Sequence, residues 1–486
     1  MKRLVIALAI LAHAQAARAF CGFYVADSDQ RLVNNATQVV LVRTGTRTTL
    51  AMQNDYQGPL KDFAMVVPVP AVLHADDVKT LSKALFAKID TMGSPRLVEY
   101  WEQDPCGPSR DEAVRLAMNS GVMGVSYEMI SGFDESSVHV EDRFAVGEYA
   151  IEILSASDSA GLDRWLHAHG YRIPDAAEPL LRPYVEQGMK WFVARVDASK
   201  VHYDERRHAV LSPLRFSYDD DTFTLPVRLG LANSAGTQDL IVNIFAPHQR
   251  YEVANYPNVP ITTNLDVTDA VKDHFAAFYA ALFDRTIQRY PRAVVTEYAW
   301  QAMTCDPCPG PQLDGEDLDA LGVDGGRMRT TDFVMTRLHA RYGTHLPDDL
   351  VFREAPPLVG GRELGEEDPD INNFQARYII RHRWDRPVTC AHPQFGQWGG
   401  PPDGDRGFDR ASNEPAQAAT NLAYADRTFD LDGALDPRRV QHIPPPQTPE
   451  LALRPRDFAL LAIGLGGAIL LLRRPRRPRV RSKEST

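Results

Sequence analysis

Residues 37–53, TQVVLVRTGTRTTLAMQ, decide how the chain is read. Two apolar-rich runs, 37–43 and 47–53, flank a Thr-Gly turn, which is the pattern of a β-hairpin. Residues 63–69 (FAMVVPV) follow as a nearly continuous apolar run stopped by Pro68-Val69-Pro70, the pattern of a buried strand with a hard end. Working outward, residues 76–92 carry Val78, Leu81, Leu85, Phe86 and Ile89 at a helical period, with Gly93 as the expected C-terminal cap. Further strands are expected at 125–130, 148–154, 191–196, 209–218, 222–229 and 240–246. Another ends at Tyr298-Ala299-Trp300, and two more lie at 333–342 and 374–384. Two longer helices, 159–169 and 268–289, present apolar stripes that read as core-facing. Strands outnumber helices and do not alternate with them, so the expected fold is α+β: a mainly antiparallel sheet with several inserted helices, in two lobes.

The chain of 486 residues is 44% apolar and 24% charged, a globular composition long enough for two or three domains. Its net charge of −11 is uneven. Without Lys2, Arg3 and Arg18, and without the net +6 of the last fourteen residues, the body stands at −20. Such a body repels phosphate polymers, so no nucleic-acid partner is expected.

Both ends point to the cell envelope. Residues 1–19 have a basic start, a short apolar stretch and Ala17-Arg18-Ala19, the form of a secretory signal peptide cleaved between Ala19 and Phe20. Residues 458–472, FALLAIGLGGAILLL, form an apolar run of about 22 Å as a helix, short against a hydrocarbon core of about 30 Å. Seven Lys and Arg follow it, which places residues 473–486 in the cytoplasm. The expectation is a single C-terminal transmembrane helix in the cytoplasmic membrane, with the body at 20–390 outside. Between them lies a Gly/Pro-rich irregular segment and stalk at 391–457.

Several segments resemble one family in the same order along the chain. They are Asp55-Tyr56-Gln57-Gly58-Pro59, residues 62–70, Trp165-Leu166 with Gly170-Tyr171, Tyr298-Ala299-Trp300 ahead of Cys305-Asp306-Pro307-Cys308, and residues 336–342 (TRLHARY). Together they resemble the exported bacterial proteins of domain of unknown function 2330, over about residues 20–390. That resemblance implies export and supplies no activity. It also implies a cysteine pair near the mature N-terminus, where this chain has only Cys21.

Candidate chemistry centres on five cysteines, Cys21, Cys106, Cys305, Cys308 and Cys390, all in the exported part. Oxidising compartments favour disulfides, and an odd count leaves one thiol over. Cys305 and Cys308 could instead be half of a zinc site, closed by two of Cys106, Cys390, His382 and His392, or a redox pair. Pro309-Gly310-Pro311 breaks the helix that an activated thiol would need. Arg337, His339 and Arg341 share one strand face by period two; they read either as a salt-bridged outer face or as an anion-binding site. No nucleophile elbow, phosphate loop or metalloprotease motif is present. The expected function is an envelope protein with a binding or structural role toward an envelope protein or polymer, without a cofactor. The alternative is an envelope enzyme using Cys305 and Cys308.

Overall fold

The computed structural model describes residues 23–25, 33–57, 64–107, 140–169, 178–203, 209–233, 237–323, 329–362, 368–401, 417–418 and 427–435. The expected hairpin forms from Val33–Thr44 (β1) and Arg47–Gln57 (β2), and Gly45 takes the positive φ of 60° that the first position of its two-residue turn requires. Helix α1, Lys83–Gly93, is followed by the sheet strands Leu214–Asp219 (β3) and Gln238–Pro247 (β4). Helix α2, Phe275–Arg289, precedes strands Val294–Gln301 (β5) and Phe333–Tyr342 (β6). These strands line up as β5-β6-β4-β1-β2-β3 within a ten-stranded sheet, extended by short strands at both ends. Most neighbours are antiparallel, but β4 and β1 run parallel.

The run VVLV is continuous because β1 is buried on both faces. Val39 and Leu41 face a second, five-stranded sheet that contains Ala64–Val69, Lys190–Val196 and Tyr149–Ser155; Met65, Val67, Ile151, Phe192 and Ala194 meet them there. The far side of that sheet lies under helices Ser159–Ala168 and Glu178–Glu186, which pack Leu162, Leu166, Leu181 and Tyr184 on Val66, Trp191 and Val193. Val40 and Val42 face the other way, onto Phe86, Ile89 and Met92 of α1. Helix α2 covers the neighbouring part of the same face, with Phe275, Phe278, Tyr279 and Phe283 over Val295 and Ala299. Two sheets are thus sandwiched between two helical layers.

Several expectations need correction. The helix expected over 76–92 starts only at Lys83, because Ser82 caps it by accepting a hydrogen bond from Leu85 N, and Val78–Thr80 instead adds a short strand beside β3. Gly93 is not a positive-φ cap. It allows close approach, since a Cβ there would lie 2.6 Å from Met335 Cε and 3.3 Å from Arg337 Cδ. Prolines shorten two expected strands: Pro213 separates Ala209–Val210 from β3, and Pro226 precedes a 3-10 turn over Arg228–Asn233. Residues 374–384 form two strands, Asn373–Gln375 and Arg377–His382, in different sheets. Glu178–Glu186 and Gly315–Leu321 are additional helices. The described residues, 23 to 435, cluster as one compact unit rather than two lobes. No helix among the described residues is long and apolar enough to cross a membrane. The signal segment, the strand expected at 125–130 and the apolar run at 458–472 lie outside the described residues.

Candidate functional site

Strand β6 carries Arg337, His339 and Arg341 on the face toward the helices, as period two requires. That face is interior: Arg337 and His339 are each 1% exposed. Opposite them a register shift in the β5–β6 pairing, between Thr296 and Tyr298, leaves Glu297 as the extra residue of a bulge. The bulge lets two consecutive side chains reach the same face. Tyr298 packs among the α1 contacts, and Glu297, fully buried, accepts from the Tyr279 hydroxyl of α2 at 2.6 Å.

Glu297 is the centre of a charged network. Its Oε2 accepts from Arg337 Nε at 2.7 Å, and its Oε1 accepts from His339 Nδ1 at 2.6 Å. Arg337 Nη1 also donates to Asp90 of α1 at 2.7 Å. His339 Nε2 lies 3.3 Å from Asp239 of β4, which also accepts from Arg341 at 2.7 Å and from Arg427. Asp284 of α2 joins Arg341 and Arg427, at 2.6 and 2.5 Å. Four carboxylates therefore meet three arginines and His339, and with His339 protonated the cluster is neutral. It ties α1, α2, three strands and the segment around Arg427 together.

Burial by itself would push both buried carboxyls up. His339 and the neighbouring arginines override it, taking Glu297 down to about 2 and Asp239 well below the usual carboxylate range. Burial would lower the His339 pKa, but Glu297 and Asp239 raise it above 6.5. The carboxylates beside its two nitrogens favour the imidazolium form. One ring face is covered by Phe283, stacked at 3.7 Å. Both nitrogens are buried beside the chain's own carboxylates, which also provide the anion that the strand pattern could bind.

The titration directions imply a pH optimum for stability. A depressed Glu297 stabilises the fold above its ordinary value of 4.5, and that contribution is lost as pH falls toward about 2. A raised His339 stabilises it fully below 6.5, and that contribution is lost as pH rises through the folded value. Urea unfolding at graded pH should therefore give the highest midpoint between about pH 4.5 and 6.5. A midpoint still climbing above pH 8 would contradict the network.

The cysteines pair as Cys106–Cys390, 284 residues apart, and Cys305–Cys308; Cys21 lies outside the described residues. Thus the four described cysteines are the sulfurs of two disulfides, and no group of three or more His, Cys, Asp or Glu gathers as metal ligands among the described residues. His382 is hydrogen-bonded to Glu99 at 2.8 Å and stacked on Trp101, and His392 is exposed. Neither Cys305 nor Cys308 begins a helix; the next helix starts at Gly315, capped by Asp314.

The loop is nevertheless fixed by buried side chains. Arg96, with no exposed surface, donates to Pro307 O at 2.7 Å, and to Met92 O and Ser94 O at the C-terminal end of α1. Gln375 donates to Asp306 O, and the Tyr298 hydroxyl to Thr304 O at 2.9 Å. No carboxylate lies within ion-pair distance of Arg96 among the described residues. Burial, helped by cationic Arg377 and Arg337, brings its pKa down to about 10, and the carbonyls of the helix end take the place of a counter-ion.

Sequence reasoning found the three basic residues of β6 but not Glu297, Asp239, Asp90, Arg427 or Arg96. One signal was readable: a single charged residue, Glu297, in the otherwise uncharged run VVTEYAWQ.

A family model described as an uncharacterized protein conserved in bacteria (DUF2330) matches residues 15–353. No curated protein matches the chain. The crystal structure of baculovirus P35 is similar at a TM-score of 0.27 and 9% identity, covering 66% of this chain and 97% of that one.

Proposed function

We propose, from the premise that the chain belongs to the DUF2330 family of conserved bacterial proteins, that it is an exported envelope protein. In this reading the body lies outside the cytoplasmic membrane, the apolar run at 458–472 is its anchor, and residues 473–486 remain in the cytoplasm. It acts by contact with an envelope protein or polymer. The observation that carries the proposal is the pairing of Cys106 with Cys390 and of Cys305 with Cys308. Disulfides of this kind persist in oxidising compartments and are rare where cellular thiols are kept reduced. The signal-like N-terminus and the basic flank after residue 472 support the same placement. A contact role is supported by the charged network, whose groups are spent on one another.

The test is made on the full-length chain in a bacterial host. Thiols are alkylated in intact cells, and the protein is then weighed with and without reduction. One labelled cysteine before reduction, Cys21, and five after it are expected. Labelling of all five before reduction would overturn the extracytoplasmic placement. A periplasm-active reporter inserted after Pro446 should be active, and a silent one would overturn the orientation.

A further inference from the structure

The two disulfides hold different amounts of chain. Cys106–Cys390 closes a loop between positions 284 apart, whereas Cys305–Cys308 encloses only Asp306 and Pro307. Chain entropy restrained by a cross-link grows with loop length, so the short bridge does the least to hold the body folded. Yet three buried side chains from three elements converge on its loop: Tyr298 on Thr304 O, Gln375 on Asp306 O and Arg96 on Pro307 O. Through Arg96 the loop is joined to the last turn of α1, and α1 in turn holds Arg337 through Asp90. Both cysteines are partly exposed residues, and Cys305 also packs against the core beneath α1.

We propose that Cys305–Cys308 is a redox-responsive clasp whose opening loosens the Arg96 end of α1. The reductant is a dithiol protein. One of its thiolates attacks a sulfur of the bridge, forming a mixed disulfide, and its second thiol resolves this. Cys305 and Cys308 gain two electrons and two protons, and the donor leaves as a disulfide. The opened loop can then withdraw the Pro307 carbonyl from Arg96, which leaves a buried guanidinium one acceptor short. The oxidised starting state rests on the extracytoplasmic placement proposed above; the coupling to α1 does not.

Dithiothreitol, at graded ratios of reduced to oxidised form, tests this on the purified full-length chain. Differential alkylation should label Cys305 and Cys308 together at a ratio that leaves Cys106–Cys390 closed. In that state amide hydrogen exchange over residues 89–98 should quicken by about tenfold, as expected for one lost hydrogen bond to a charged group. Opening of Cys106–Cys390 first, or exchange over 89–98 unchanged on reduction, would overturn the clasp. The Cys305→Ser, Cys308→Ser double variant should show the faster exchange without dithiothreitol. A double variant that fails to fold also sinks the proposal, because a clasp must open on a folded body. Failure of the placement instead would appear as labelling of all five cysteines before any reductant is added.

Discussion

Replacing both Cys106 and Cys390 by serine should lower the unfolding free energy by about 6 kcal/mol, the value that loop-closure entropy assigns to a cross-link spanning hundreds of residues. The bridge joins positions 284 apart. It also fastens the segment that follows strand Arg377–His382, where Gln394 N donates to Pro105 O at 2.8 Å and Gly396 N to Glu102 at 2.6 Å. Domains are commonly stable by only about 5–15 kcal/mol, so this loss is a large share of the total. Serine at Cys305 and Cys308 should cost far less, about 2 kcal/mol by the same relation applied to a four-residue loop. Denaturant midpoints of the two double variants decide the matter: equal losses would mean that loop length does not govern what each bridge contributes.

Glu297→Gln should cost about 3–5 kcal/mol, the usual effect of removing one partner from a buried ion pair. Glutamine keeps the size of the side chain and can still accept from the Tyr279 hydroxyl. It removes the negative charge that both Arg337 and His339 face. Two cations would then be held in a fully buried site with only Asp90 and Asp239 beside them. The variant should also move the stability profile. His339 loses its strongest support, its pKa falls, and the stability lost with rising pH is lost at lower pH than in the unaltered chain. Urea midpoints at pH 5.5 and 8 measure both effects. A Glu297→Gln protein with an unchanged midpoint would mean that the network stabilises nothing. An unchanged slope with pH would mean that His339 is not the titrating group.

Much of the fold was legible because it depends on short-range pattern. The hairpin across Gly45, the buried strand Ala64–Val69, the helix Ser159–Ala168 and the stripe of α2 follow from periodicity and turn chemistry within a few residues. The caps at Ser82 and Asp314 are equally local signals, yet the apolar period drew the first helix back to residue 76 and the short helix after Asp314 went unread. Period two likewise put Arg337, His339 and Arg341 on one face of β6. Whether that face met water or protein depended on α1 and α2, which come from residues 83–93 and 275–289 and cover it from elsewhere in the chain.

Short-range pattern therefore set the strand-rich α+β character, the sidedness of β6, the acidic body between basic ends, and the family. Tertiary structure alone decided which cysteines pair, since Cys106 and Cys390 carry no mark of each other across 284 positions. It also decided that a bulge turns Glu297 inward to face His339, and that the C-terminal end of α1 supplies Arg96 with carbonyls in place of a carboxylate. The physical reason is the range of the forces involved. Backbone propensity and side-chain period act over a few residues, while burial, which makes a charge dependent on its partner, is set by segments far apart in sequence.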